Sequence, residues 1–198
     1  MADATIDDFL ARVMERLPDM SRDKFTSQSW RYEGRPTGEG LGLKPGVDVD
    51  PEAVISRILD VAAYPGNVKY VDATIVAKQT KKTVTYTQKM KLPGIGGVQV
   101  VLNMKDLGTR DGYRVVAWQQ DDAATEALDK SDGGARTDYN LGAWLVSDTE
   151  VAYALSAAPL KKDVGSLKYA LMTKGADATT GTVLAANIDS MIAWSQRA

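Results

Sequence analysis

The residues of this chain that could do chemistry are tyrosines, tryptophans, methionines and one asparagine, and what they suit is contact with an apolar molecule. On a helical wheel near the C-terminal end, Val183, Leu184, Asn187, Ile188, Met191, Ile192 and Trp194 share one broad arc, with Ala185, Ala186, Asp189, Ala193 and Gln196 opposite. Asn187 is therefore an amide set in an apolar arc, and a buried amide must find partners in the backbone or in a ligand. A second set lies on stretches of period two. If Lys89 and Lys91 point to solvent, then Tyr86, Gln88, Met90 and Leu92 point inward. Gln99, Asn103 and Lys105 pointing outward likewise turns Val98, Val100, Leu102 and Met104 inward. On later stretches Tyr113, Trp118, Tyr139, Leu141, Trp144 and Tyr153 compete for the same face. Aromatic and Met side chains with few charges are what line apolar pockets. Each of them also serves as ordinary core.

Other chemistries are excluded by residues the chain lacks. Its 198 residues include no cysteine and no histidine. That removes disulfides, zinc thiolates, thiol nucleophiles, serine–histidine triads and His-x-His metal sites. Any catalysis would rest on Asp, Glu, Lys or Tyr, and no catalytic residue, metal or cofactor is expected. The adjacent pairs Asp7-Asp8 and Asp121-Asp122 lack the alternating oxygens of a calcium loop. The glycine-rich stretch 34–46 is not closed by the Gly-Lys-Ser/Thr of a phosphate loop. Gly94-Ile95-Gly96-Gly97 reads as a hairpin link and Arg110-Asp111-Gly112 as a turn. With 24 basic and 26 acidic residues, net −2, the chain has no electrostatic footprint for nucleic acid. No run approaches the roughly 20 apolar residues of a membrane span, so membrane contact is expected to be transient at most. The acidic start lacks a signal peptide's basic and apolar regions, which points to the cytoplasm; a periplasmic or exported location follows if Met1 replaces a removed signal peptide.

The elements that must position these residues follow from periodicity. Thr5 with Asp8 makes a capping-box start, and Ile6, Phe9, Leu10, Val13, Met14 and Leu17 stripe one face of a helix that Pro18 stops. A strand is expected over 27–32, then a loop and an edge strand over 34–49. Asp50 caps a helix with Pro51 in its first turn, and Val54, Ile55, Ile58 and Leu59 give it an apolar face. From 69 to 158 the period becomes two, giving strands over 69–77, 82–92, 97–107, 112–120, 136–146 and 150–158. The short links demand antiparallel neighbours. The exception is the polar link 121–135, whose Gly133-Gly134 would suit a hinged gate. A short helix over 166–172 and a final helix from Thr179 or Thr180 to Ser195 complete the chain. This order excludes a parallel sheet, leaves one sheet face needing cover, and makes the last helix that cover.

Several stretches resemble the START-like superfamily, also called SRPBCC, which includes the birch pollen allergen and polyketide cyclases. They are the run from Val49-Asp50-Pro51-Glu52-Ala53-Val54 to Leu59-Asp60 with Tyr64-Pro65; Gly142-Ala143-Trp144-Leu145; Val151-Ala152-Tyr153 with Pro159; and Asn187-Ile188 to Trp194. The resemblance covers residues 44–197, and the N-terminal helix over 5–17 fits the longer START arrangement. It implies a single α+β domain over 1–198 with the helix-grip fold, a curved antiparallel sheet wrapped around a long C-terminal helix. It also implies a cavity between sheet and helix that takes lipids, sterols or other apolar molecules. The chain departs from eukaryotic START sequences in having no Arg-Asp pair ahead of the strand at 97–107.

Residues and resemblance together lead to an expected function: non-catalytic binding or transfer of a small hydrophobic, lipid-like ligand. Two alternatives stand beside it, an enzyme of the cyclase or hydratase type and a protein-interaction module with a vestigial cavity. The expected ligand-binding residues are Tyr86, Met90, Val100, Leu102 and Met104 from the middle strands, and Tyr113, Trp118, Trp144 and Tyr153 from the later ones. Leu184, Asn187, Ile188 and Met191 join them from the last helix. A binder should hold a cavity of roughly 300–1,000 Å³. Oligomeric state is left open.

Overall fold

Thr5 opens the first helix, α1 (Ile6–Arg16), with a reciprocal cap in which its hydroxyl accepts from Asp8 N–H and the Asp8 carboxylate accepts from Thr5 N–H. The computed structural model describes residues 5–32, 35–92 and 96–197, without the side chains of residues 171, 172 and 174–179. Met1, Gly34 and the Pro93-Gly94-Ile95 part of the expected hairpin link lie outside the described residues.

The strands are β1 (Thr26–Trp30), β2 (Glu39–Pro45), β3 (Val71–Gln79), β4 (Thr83–Leu92), β5 (Gly96–Arg110), β6 (Tyr113–Gln120), β7 (Ala135–Val146) and β8 (Glu150–Pro159). They form one curved sheet of order β1-β2-β8-β7-β6-β5-β4-β3, antiparallel at each neighbouring pair. A short parallel contact joins β5 to β7 at Val98–Ala135 and Gln99–Arg136. The expected meander from β3 to β8 is present, with β2 pairing back onto β8 and β1 at the edge. Asp50 caps α2 (Pro51–Leu59) by accepting from Glu52 N–H, and Pro51 sits in the first turn, where its missing N–H is no loss.

Alternation along the strands divides the core in two. On the concave face Tyr86, Val100, Leu102, Met104, Val116, Trp118 and Trp144 pack with α2 and with α6 (Ser166–Ser195). On the convex face Leu41, Leu43, Val115, Ala117, Leu141, Ala143 and Leu145 pack with Phe9, Leu10 and Val13 of α1. The sheet thus has no wholly wet side, because the stripe on α1 covers part of the face the sequence leaves to solvent.

Two expectations are corrected. The last helix is one continuous element from Ser166 to Ser195, without a break before Thr180. Thr180, one of the two residues that read as a cap, and Gly181 lie where the helix meets the sheet edge. A Cβ on Gly40 would stand 2.4 Å from Thr180 Cγ2, and one on Gly181 would stand 2.8 Å from Ser27 Oγ. Small residues here permit a close approach that any larger side chain would prevent. The link 121–135 is also no open loop. It folds into α3 (Asp122–Glu126) and α4 (Lys130–Gly133), with Thr125 Oγ1 accepting from Val101 N–H at 3.0 Å. The buried Gln99 amide donates to Asp129 O at 2.7 Å and Gly134 O at 3.1 Å. Gln99 and Val101 alternate with the inward Val98 and Val100, so this segment sits on the sheet's far side.

Candidate ligand cavity

The concave face and α6 enclose a cavity of about 270 Å³. Its floor is the sheet: Tyr86 and Met90 of β4, Leu102 and Met104 of β5, Trp118 of β6, Trp144 of β7, Tyr153 and Leu155 of β8. Its roof is α6, through Thr180, Val183, Leu184 and Asn187. The third wall is the stretch after α2, where Tyr64, Val68, Lys69 and Tyr70 turn toward the space. Tyr70 sits at φ 66, a left-handed conformation uncommon outside glycine, and aligns with exposed Lys69 at the start of β3.

Two aromatic groups organise the walls. Tyr153 stacks on Trp118 with centroids 5.6 Å apart and leans on Trp144 at 4.3 Å. Tyr64 meets Tyr86 and Trp194 edge-on at 6.3 and 6.1 Å. Both arrangements are the offset or T-shaped geometries that ring quadrupoles favour. Trp118 is further pinned. Its indole N–H donates to Asn140 Oδ1 at 2.9 Å, and its six-membered ring lies over Gly142, whose absent Cβ would otherwise fall 1.9 Å from Trp118 Cζ2. A bulge between Thr137 and Tyr139 turns Thr137 into the cavity, while Asn140 faces it by plain alternation from Trp144 through Gly142.

Polar groups in the lining fall into two kinds. Some are spent on the protein. The Tyr64 hydroxyl donates to Ile58 O at 2.5 Å, and Thr37 Oγ1 lies 2.5 Å from the Tyr139 hydroxyl while donating to Ala157 O at 2.9 Å. Others are not: the hydroxyls of Tyr86 and Tyr153 have no hydrogen-bond partner among the described residues, and neither is sealed from the cavity space. Burial pushes both phenols well above the ordinary tyrosine range, because a phenolate would have to leave water.

Of the residues expected from sequence, Tyr86, Met90, Leu102, Met104, Trp118, Trp144, Tyr153, Leu184 and Asn187 line this cavity. Val100, Ile188 and Met191 are fully buried in the core beside it and do not reach its surface. Tyr113 is elsewhere: it packs with the convex-face cluster and donates its hydroxyl to Glu150 Oε2. Alternation from Trp118 assigns Val116 inward and Tyr113 outward, so an unbroken β6 could not face both rings into one space. None of the described residues of 121–135 lines the cavity, which leaves that segment without the expected gating position. Sequence reasoning missed Tyr64, Thr37 and Asn140. The first two lie outside the meander, whereas Asn140 shares the parity of Trp144, a signal that could have found it.

No protein-family model matches the chain, and no curated protein does. Solved structures do. A STAR-related lipid transfer protein from Xanthomonas axonopodis superposes with TM-score 0.71 at 17% identity, over 90% of this chain and 97% of that one. Human STARD10 superposes with TM-score 0.68 at 12% identity, over 98% and 80%. The Zhui aromatase/cyclase from a Streptomyces species gives 0.54 at 10%, over 87% and 95%. The chain therefore has the START-like, helix-grip fold, in the α+β class. Among the described residues, no helix is long and apolar enough to cross a membrane.

Proposed function

We propose that this domain binds a small hydrophobic molecule between its sheet and α6 and carries it without altering it. The observation behind this reading is the lining itself: aromatic, Met and aliphatic side chains from three sides of the fold converge on one space, and a few polar groups interrupt them. At about 270 Å³ the cavity is slightly smaller than the range of roughly 300–1,000 Å³ expected for small-molecule sites, which favours a small ligand. The likeness to a STAR-related lipid transfer protein favours the same reading. An aromatase/cyclase is also among the structural neighbours, so a reaction on an apolar substrate is the rival. The lining disfavours it. Among its described residues there is no carboxylate or arginine, and the raised phenols make poor bases near neutral pH.

The test is native mass spectrometry of the purified protein, followed by titration of a fluorescent apolar probe. Retained apolar mass, or a Kd below about 100 µM (roughly −5.5 kcal/mol), is the expected result. Failure of every apolar class to bind would end the proposal, and turnover of a polyketide-like substrate would favour the rival.

A further inference from the structure

The polar inventory of the cavity specifies more than hydrophobicity. Tyr86 and Tyr153 are more than nine-tenths buried, line the space and offer hydroxyls with no partner among the described residues. Two amides add to them, and their orientations are fixed by chemistry. An indole N–H can only donate, so Asn140 must present Oδ1 to Trp118 and keep its NH2 group free. A backbone carbonyl can only accept, so Asn187 must present its NH2 group to Val183 O, at 2.9 Å, and keep Oδ1 free. Asn140 is 4% exposed and Asn187 8%, and both line the cavity. The space therefore holds two hydroxyls able to donate or accept, a free amide donor and a free amide acceptor.

Charge is what the lining does not hold. Among its described residues only Lys69 is charged, and Lys69 is exposed, with Nζ 5.9 Å from the Tyr70 ring centroid. A carboxylate or phosphate carried inward would leave water without a counter-ion, a loss that neutral hydrogen bonds do not restore. A pure hydrocarbon would leave four polar groups dry and unpaired.

Building on the binding function above, we infer that the ligand is an uncharged molecule whose apolar body carries a hydroxyl or carbonyl oxygen, held inside the cavity by the hydroxyls of Tyr86 and Tyr153. The free Asn140 and Asn187 amide groups complete a neutral polar lining that accepts either kind of oxygen. Free fatty acids and other inward-facing anions are discriminated against.

Three probes on one ring skeleton test this near neutral pH: naphthalene, naphthol and naphthoate, titrated by calorimetry against the unaltered protein and against Tyr86→Phe and Tyr153→Phe. Naphthol should bind about tenfold more tightly than either of the others, the value of one good neutral hydrogen bond in a dry site. Each Phe variant should lower naphthol affinity by about three- to tenfold and leave naphthalene unchanged. Naphthoate binding as tightly as naphthol overturns the inference, as does full naphthol affinity in both Phe variants. If naphthalene binds and naphthol gains nothing over it, the oxygen contact fails and the hydrophobic binding function survives. If none of the three binds, both fall.

Discussion

The two faces of this sheet are made by the same strands and serve opposite ends. On the convex face small and medium residues (Val115, Ala117, Ala143, Leu145) close against α1, and the main charge is neutralised in place. Glu39, fully buried, accepts from Arg12 Nε at 2.9 Å and Nη2 at 2.6 Å, and from Trp30 Nε1 at 2.7 Å. On the concave face the next residues along are large (Trp118, Trp144, Tyr153), yet they leave a cavity with hydroxyls unspent. Density therefore follows from how far the covering helix can approach, and the side chains beneath the helix set that distance. α1 rests on Val and Ala and closes, whereas the rings hold up the middle of the α6 side, which comes close at the sheet edge, at Ser27, Gly40 and Gly42.

If that contrast is right, damage on the convex face should cost stability and spare binding. The largest effect expected is from Arg12→Ala, which leaves the Glu39 carboxylate buried with only an indole partner. Loss of about 3–5 kcal/mol in urea unfolding is expected, with naphthol affinity retained in the folded fraction. A loss under about 1 kcal/mol would show that the convex face does not depend on this pair.

Gly142→Ala should act on both counts. The added methyl would fall 1.9 Å from Trp118 Cζ2, and the indole cannot swing away without breaking its bond to Asn140. Destabilisation of about 1–3 kcal/mol is expected, together with weakened probe binding as the ring is pushed from its place. Unchanged indole fluorescence and unchanged affinity would contradict the description of Trp118 as a fixed wall.

Asn187→Leu should have the smallest effect on the fold. Its NH2 group donates to Val183 O, one turn back, a carbonyl that the helix's own ladder already serves. Apo stability should move by less than about 1 kcal/mol, while naphthol binding weakens by about 1 kcal/mol and naphthalene binding holds. A large stability loss with unchanged affinity would make Asn187 a structural residue.

The meander was legible because alternation and turn residues agree strand by strand, and both helix starts were legible because Thr5 with Asp8 and Asp50 with Pro51 are strong local signals. The length of α6 was not, because Thr180 and Gly181 carry the composition of a helix boundary while answering to a contact with Ser27 and Gly40, far away in the chain. The cavity's aromatic floor could be read from parity on β4 and β5. Parity also excludes Tyr113 once Trp118 is placed inward, so that residue was a missed inference rather than hidden information. Asn140 was legible too, since it shares the parity of Trp144; Thr137 was hidden, because it owes its direction to a bulge that no residue between Thr137 and Asn140 announces. Val100, Ile188 and Met191 face the right way, and depth, unlike direction, has no period in sequence.

The position of β2 bears on what a shortened chain would do. β2 lies between β1 and β8, in register from Gly40–Leu155 to Pro45–Glu150. Residues 44–197 alone contain almost none of it. A chain cut to that length would end its sheet at β8, whose nearly continuous buried run from Val151 to Ala154 would carry a row of unpaired N–H and C=O groups. Such a row accepts any strand offered to it, and the strand most available in a concentrated solution is another molecule's β8. β2 therefore covers the β8 edge as well as completing the fold.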